Sequence, residues 1–129
     1  SSHRRQRQMC IRDRFRTEEL MENGIKEVSD LRDKSQNIHL ADKSSQFNTA
    51  RVEALELLNL IEVAEATAIS ANERKESRGA HSREDYPDRD DENWLKHSIY
   101  FSDTKQVSKR DVNFRPKQVQ AFQPIVRTY

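Results

Sequence analysis

Residues 76–101, ESRGAHSREDYPDRDDENWLKHSIYF, gather side chains that could do chemistry. They hold His81 and His97, the arginines Arg78, Arg83 and Arg89, and carboxylates at Glu76, Glu84, Asp85, Asp88, Asp90 and Asp91. Imidazoles beside carboxylates could ligate a metal, move protons or support a hydrolytic triad. The spacing argues against each. No H-x-x-x-H pair sits on a helix, and a tetrahedral zinc site would need ligands converging across a segment broken by Gly79 and Pro87. A calcium loop lacks its glycine at the sixth position and its closing glutamate. Ser77 and Ser82 flank His81 without a G-x-S-x-G elbow. Neither glycine pattern that cradles nucleotide phosphates is present.

The mixture instead favours a structural clasp. Arg78, Arg83 and Arg89 interleave with the acidic residues, and arginine forms rigid two-pronged bonds to carboxylates that can hold a loop no ladder fixes. Trp94 supplies one large apolar anchor at the end of the run. The expectation is a clasp joining a long helix to a hairpin or an adjoining domain, with no catalytic, cofactor-binding or metal-binding residue in the chain.

Three segments must position it. Leu20, Met21, Ile25, Val28 and Leu31 fall at three- and four-residue steps and predict a first helix over residues 17–34, capped by Thr17. Gly24 inside it costs about 1 kcal/mol against alanine and is read as a close helix–helix contact. Residues 35–47 form a polar connector, tacked to the core by Ile38, Leu40 and Phe47. A second helix is predicted over residues 48–77, with Asn48 as its cap. Its apolar residues cover well over half its surface, so it needs neighbours on more than one side. Arg74, Lys75 and Arg78 load its end, and Gly79 follows as a left-handed terminator. A turn at Pro87, a short helix over 90–96 with its carboxylates at the start, and a hairpin of strands 98–101 and 107–114 follow. The ending, with Pro116 and Pro124, reads as an extended tail. The fold class is mainly α: an antiparallel bundle of two long helices and a short one, then a small β-hairpin and tail.

Of the 129 residues, 33% are hydrophobic and 35% charged, a wet composition for an independent domain of this size. The formal charge is +1, with 23 basic against 22 acidic residues. Arg4, Arg5, Arg7, Arg12 and Arg14 concentrate the positive excess in residues 1–14, so the body is not a polycation seeking nucleic acid. The single cysteine, Cys10, excludes an intrachain disulfide. No run approaches twenty apolar residues. RRQRQMCIRDR resembles translated sequencing-adapter read-through, and residues 1–14 are expected to be a non-native disordered lead. The chain reads as a fragment. Residues 15–97 are then a helical domain and 98–129 a strand-bearing extension.

The runs FNTARVEALELLNLIEVAEATAISANER and RKESRGAHSREDYPDRDDENWLKHSIYF, with the ending PIVRTY, resemble the C-terminal region of the succinate dehydrogenase flavoprotein family, of which fumarate reductase flavoproteins are near relatives. The resemblance covers roughly residues 15–129. Its specific part is E-S-R-G-A-H-[SY]-R-x-D-[FY]-P-x-R-D-D, followed here by ENWLKHS. Arg78, Gly79, His81, Arg83, Asp85, Pro87, Arg89, Asp90, Asp91, Trp94 and His97 are its signature and structural residues.

The resemblance implies a helical C-terminal domain and a parent that oxidises succinate to fumarate through covalently attached FAD. Electrons then pass through an iron–sulfur subunit to quinone. The family's catalytic and FAD-binding motifs lie upstream of this region, so no cofactor is expected here and the segment alone is expected to be inactive. Expected partners are the upstream FAD-binding and capping domains and the iron–sulfur subunit, with no nucleic acid and with membrane contact only through the complex. The expected location is the cytoplasmic face of the bacterial inner membrane, or the matrix face in a mitochondrion. Fumarate reductase is the nearest alternative; a stand-alone helical interaction module is the other.

Overall fold

In the computed structural model, residues 16–38, 40 and 43–125 are described. The first helix, α1, spans Glu18–Ser35. Thr17 caps it as expected, its hydroxyl accepting from the Leu20 amide at 3.3 Å, while Glu18 and Glu19 place negative charge at the positive end of the helix. The second, α2, spans Thr49–Glu73, and the Asn48 side chain accepts from the Arg51 amide at 2.9 Å. The two helices run antiparallel. Lys75, just past the end of α2, pairs with Glu18 at the start of α1, and Ser35 at the end of α1 faces Ala54 in the first turns of α2.

A short helix, α3, spans Asp91–Trp94, with Asp90 as its cap. Strands β1 (Lys96–Phe101) and β2 (Gln106–Asp111) pair antiparallel, from Lys96 opposite Asp111 to Phe101 opposite Gln106. One face, with Tyr100, Val107 and Lys109, turns toward the helices and Trp94, while His97, Arg110 and Phe101 on the other are exposed. The tail beyond residue 111 has no regular structure through residue 125 and is tied back where Arg89 Nη1 donates to the Ile125 carbonyl at 3.0 Å. The mainly helical fold with a following hairpin and tail is as the sequence predicts.

Besides the bounds of the short helix and of both strands, which are shifted from those expected, four details differ. The helix α2 ends at Glu73 rather than Ser77: Arg74 is already extended, at ψ 98°, because its side chain and its carbonyl are both drawn into the clasp. Gly79, at φ +59°, terminates no helix; it is the first central residue of a tight turn in which Arg78 and His81 exchange backbone hydrogen bonds of 2.7 and 3.0 Å. Gly24 meets nothing within 4 Å of where a Cβ would stand, so it lines open space rather than a helix–helix contact. Phe47 is wholly exposed, with a left-handed backbone at φ 51°, and tacks nothing to the core.

Among the described residues only Ile61 and Trp94 are buried apolar side chains. Both flanks of α2 are open. On one, a groove of about 320 Å³ is walled by Leu20, Met21, Val28 and Leu31 and floored by Ala64, Ala68 and Ala71. On the other, a depression of about 410 Å³ lies among Ile38, Leu40, Ala54, Leu55 and Leu58. Val52, Leu60 and Val63 are exposed as well. The wide apolar arc read from the sequence corresponds, among the described residues, to apolar side chains exposed on both flanks of α2.

Candidate functional site

Glu76 is the centre of the clasp. It is 0% exposed and accepts four hydrogen bonds. Arg74 Nη1 and Arg78 Nε, the latter at 2.9 Å, converge on Oε1; Arg78 Nη2 at 3.1 Å and the Asp90 amide at 3.0 Å converge on Oε2. Burial alone would raise its pKa, but the bonds from Arg78, the Asp90 amide and Arg74 outweigh it and hold the carboxyl below its ordinary value. The carboxylate thereby ties the end of α2 to the start of α3.

Arg74 extends the same junction to the hairpin. Its guanidinium donates to the Trp94 carbonyl at 2.8 Å, the Lys96 carbonyl at 2.5 Å and Ser98 Oγ at 3.3 Å. It also lies 5.3 Å from the Trp94 ring centroid, while Lys109 Nζ on β2 stands 3.4 Å from that centroid. Arg78 reaches onward to Asp91 at 2.5 Å, and Arg89 meets the same carboxylate at 2.9 Å.

A second centre is Arg83, 1% exposed, whose fork grips both oxygens of Asp85 at 2.8 and 2.5 Å. That grip, supplemented by the Glu18 amide, holds the Asp85 carboxyl down to about 2. Arg83 Nη1 donates to the Asn72 carbonyl at 2.6 Å and the Arg74 carbonyl at 3.3 Å, serving acceptors that the end of α2 leaves without partners. Its guanidinium lies 4.9 Å from the Tyr86 ring centroid. Asp85 accepts from the Glu18 amide at 2.9 Å, so a carboxylate sits at the positive end of α1.

The loop between these centres is held by Ser77. Its hydroxyl bonds to the Tyr86 carbonyl at 2.7 Å and accepts from the Arg83 amide at 2.8 Å, while its own amide donates to the Asp88 carbonyl at 3.0 Å. His81 lies half-buried between the two arginine centres. Arg78, His81, Arg83, Asp85, Arg89, Asp90, Asp91 and Trp94 thus form one connected network, with Gly79 in the turn that returns the chain to His81. Pro87 lies exposed in the loop, and His97 faces solvent on the outer side of the hairpin opposite Arg110.

Sequence reasoning missed Arg74 as a hub, treating it as a charge on a helix end. It also missed Arg16 and Glu18, whose backbone groups join residues 83–85: Glu84 N–H donates to the Arg16 carbonyl at 2.8 Å. A further omission is Glu65, 1% exposed in mid-helix, which meets Arg32 of α1 at 3.0 Å and Lys105 of the hairpin turn at 2.9 Å. No local signal marks Glu65; its partners lie 33 residues before and 40 residues after it in the chain.

Chemically, Arg74, Arg78, Arg83 and Arg89 are spent on Glu76, Asp85, Asp91 and backbone carbonyls. The arrangement is built to hold a loop in place. Among the described residues no group of three histidine, cysteine or acidic side chains could hold a metal ion, and no helix is long and apolar enough to cross a membrane.

A family model described as fumarate reductase flavoprotein C-term matches residues 10–129. The succinate dehydrogenase flavoprotein subunit of Coxiella burnetii is 52% identical over 110 residues, covering 85% of this chain and 19% of that protein. The fumarate reductase flavoprotein subunit of Escherichia coli is 37% identical over 117 residues, covering 89% and 19%. A solved structure of a mutant E. coli quinol fumarate reductase superposes with a TM-score of 0.71 at 36% identity, over 85% of this chain and 19% of that one. The chain spans about a fifth of the length of the curated relatives it matches. The family match begins at residue 10, inside the expected non-native lead, which lies outside the described residues.

Proposed function

We propose that this chain, which belongs to the fumarate reductase and succinate dehydrogenase flavoprotein family, is the C-terminal docking region of an FAD-carrying subunit that oxidises succinate to fumarate. The supporting observation is the pair of open apolar flanks on α2. A helix exposing Val52, Leu60 and Val63, beside a groove of about 320 Å³, is shaped for burial against more protein than the chain contains. The occupants are the upstream FAD-binding and capping domains of the same subunit. The clasp residues Arg78, Gly79, His81, Arg83, Asp85, Pro87, Arg89, Asp90, Asp91 and Trp94, with His97 on the hairpin, serve to orient the hairpin and tail. That orientation presents them to an iron–sulfur subunit, through which electrons pass to quinone. FAD belongs to the upstream part, and this region contributes no catalytic, cofactor or metal ligand.

Higher identity to the Coxiella burnetii and Rickettsia conorii succinate dehydrogenase subunits, 52% and 43%, than to the E. coli fumarate reductase subunit, 37%, favours the succinate dehydrogenase branch. The location that follows is peripheral, on the inner face of the membrane and held there by the complex. The reading also treats residues 1–14 as non-native, residues 15–97 as the helical domain and 98–129 as the extension.

The experiment is a graft. Residues 16–129 replace the matching region of the Coxiella burnetii flavoprotein subunit, and the chimera is assayed for bound flavin, assembly and succinate-dependent dye reduction. Retention of all three is expected, together with no flavin absorbance and no succinate oxidation from the 129-residue chain alone. A chimera that folds but loses flavin or assembly would refute the docking role.

A further inference from the structure

We propose that His81 is an acid-operated latch that holds the segment leading into α1 against the arginine-rich loop. The inference concerns the chain's own geometry and does not rest on the family reading. The ring bridges two elements: Nδ1 lies 2.7 Å from Arg16 Nη1, and Nε2 lies 3.0 Å from the Arg74 carbonyl. A guanidinium has donors only, so Nδ1 must accept; a carbonyl oxygen only accepts, so Nε2 must carry the hydrogen. The contacts therefore suit a neutral ring of one tautomer. A second proton would point an N–H at an N–H.

The backbone around the ring shows what such a proton would loosen. Residue 16 runs parallel to residue 83 in a single bridge, with Glu84 N–H donating to the Arg16 carbonyl at 2.8 Å. The groups facing the ring from the packed elements are Arg16 from the segment before α1, Arg74 from the end of α2 and Arg83 from the loop, all positive. The neighbouring carboxylates are engaged with other groups, Glu76 with Arg74 and Arg78, and Asp85 with Arg83 and the Glu18 amide. Lys75 turns toward Glu18 and Tyr86. Burial first, then the charges of Arg16, Arg83 and Arg74, depress the ring's proton affinity below its ordinary 6.5, against the opposing hydrogen bond to the Arg74 carbonyl. The sign follows: the latch is fully closed above pH 6.5 and weakens as pH falls through 6.5 toward the lowered value. Asp85, held down to about 2, stays charged throughout that window.

The test is amide exchange with imidazole NMR on the full 129-residue chain, from about pH 7.5 to about pH 5.5, where histidine alone among ordinary side chains changes charge. His81 should titrate below 6.5 as the Nε2–H tautomer. Protection of the Glu84 amide, corrected for intrinsic rate, should fall by up to roughly tenfold at the acid end, the ceiling for one group of ordinary pKa 6.5. The hairpin amides of β1 and β2 should hold theirs. His81→Gln keeps one acceptor and one donor and should make Glu84 protection independent of pH. Arg16→Gln removes a positive neighbour and should raise the His81 pKa. A ring titrating at or above its ordinary value, pH-independent protection at Glu84, or a loss spread evenly over the hairpin would each overturn the latch. Should His81→Gln fail to fold, the wild-type titration and Arg16→Gln decide between these outcomes.

Discussion

Replacing Glu76 by glutamine preserves shape and removes one charge at the centre of the clasp. The four donors are divided evenly between the two carboxylate oxygens, so whichever way the glutamine amide turns, its NH2 faces two of them. Two charge-assisted hydrogen bonds are lost, each worth about 1.5–3 kcal/mol. Arg74 and Arg78 keep their places without the matching negative charge, and breaking a buried ion pair on one side costs about 3–5 kcal/mol. The expected loss is therefore roughly 3–5 kcal/mol, a large share of the about 5–15 kcal/mol that a domain possesses. Urea unfolding followed by fluorescence is the assay, because Trp94 is the sole tryptophan and is buried against the clasp. The midpoint should drop with little change in slope. Asp91→Asn is the control: the Asp91 side chain is 41% exposed, and loss of an exposed pair should move the midpoint far less. A Glu76→Gln chain unfolding within about 1 kcal/mol of wild type would show that Glu76 carries no more weight than a surface pair.

Acid unfolding should carry a step from Asp85. Its carboxyl is lowered in the fold, so its contribution is present above the ordinary 3.8 and is lost as pH falls from there toward about 2. Asp85→Asn should flatten the stability–pH curve in that interval, and an unchanged curve would contradict the Arg83–Asp85 assignment. Lys105→Ala should cost about 1–3 kcal/mol by leaving Glu65 with Arg32 alone, and should speed exchange in the hairpin before it affects α1. Equal acceleration in both would place Lys105 outside the hairpin's docking. Leu60→Glu and Val63→Glu should change the stability of the 129-residue chain by no more than about 0.5 kcal/mol while reducing its self-association in sedimentation. A loss above about 1 kcal/mol would mean that these side chains are packed within the chain itself.

What the sequence discloses, and what it hides, follows from the range of each interaction. Thr17, Asn48 and Asp90 cap helices through amides three residues on, so their roles are readable locally. The excess apolar arc of α2 is readable for the same reason, since helical periodicity places each side chain. The end of α2 is not, because Arg83 satisfies the Asn72 carbonyl from eleven residues away. Nor is the hub at Arg74, whose partners at 94, 96 and 98 become neighbours only once the loop has folded. Gly24 reads as a contact because the apolar stripe continues past it; in the fold it lines the groove floored by Ala64, Ala68 and Ala71, with nothing within 4 Å of where a Cβ would stand.

Charge and apolar surface divide the work of the molecule. With Ile61 and Trp94 as its buried apolar side chains, the described chain has little hydrophobic core to orient the hairpin on the helix pair. A packed apolar junction could have done so only by covering part of α2, the surface left open on both flanks. An arginine–carboxylate junction avoids that conflict. Its bonds are directional, so Glu76 and Arg83 set angles between α2, α3 and the hairpin that nonspecific apolar contact would leave loose. It confines its contacts to the end of α2 and to carbonyls of the following loop, leaving Val52, Leu60 and Val63 uncovered. Buried ion pairs offer less stability than apolar packing of similar volume, so their presence here is better explained by orientation than by strength. The clasp can therefore fix the direction of the hairpin and tail whether or not the flanks of α2 are occupied.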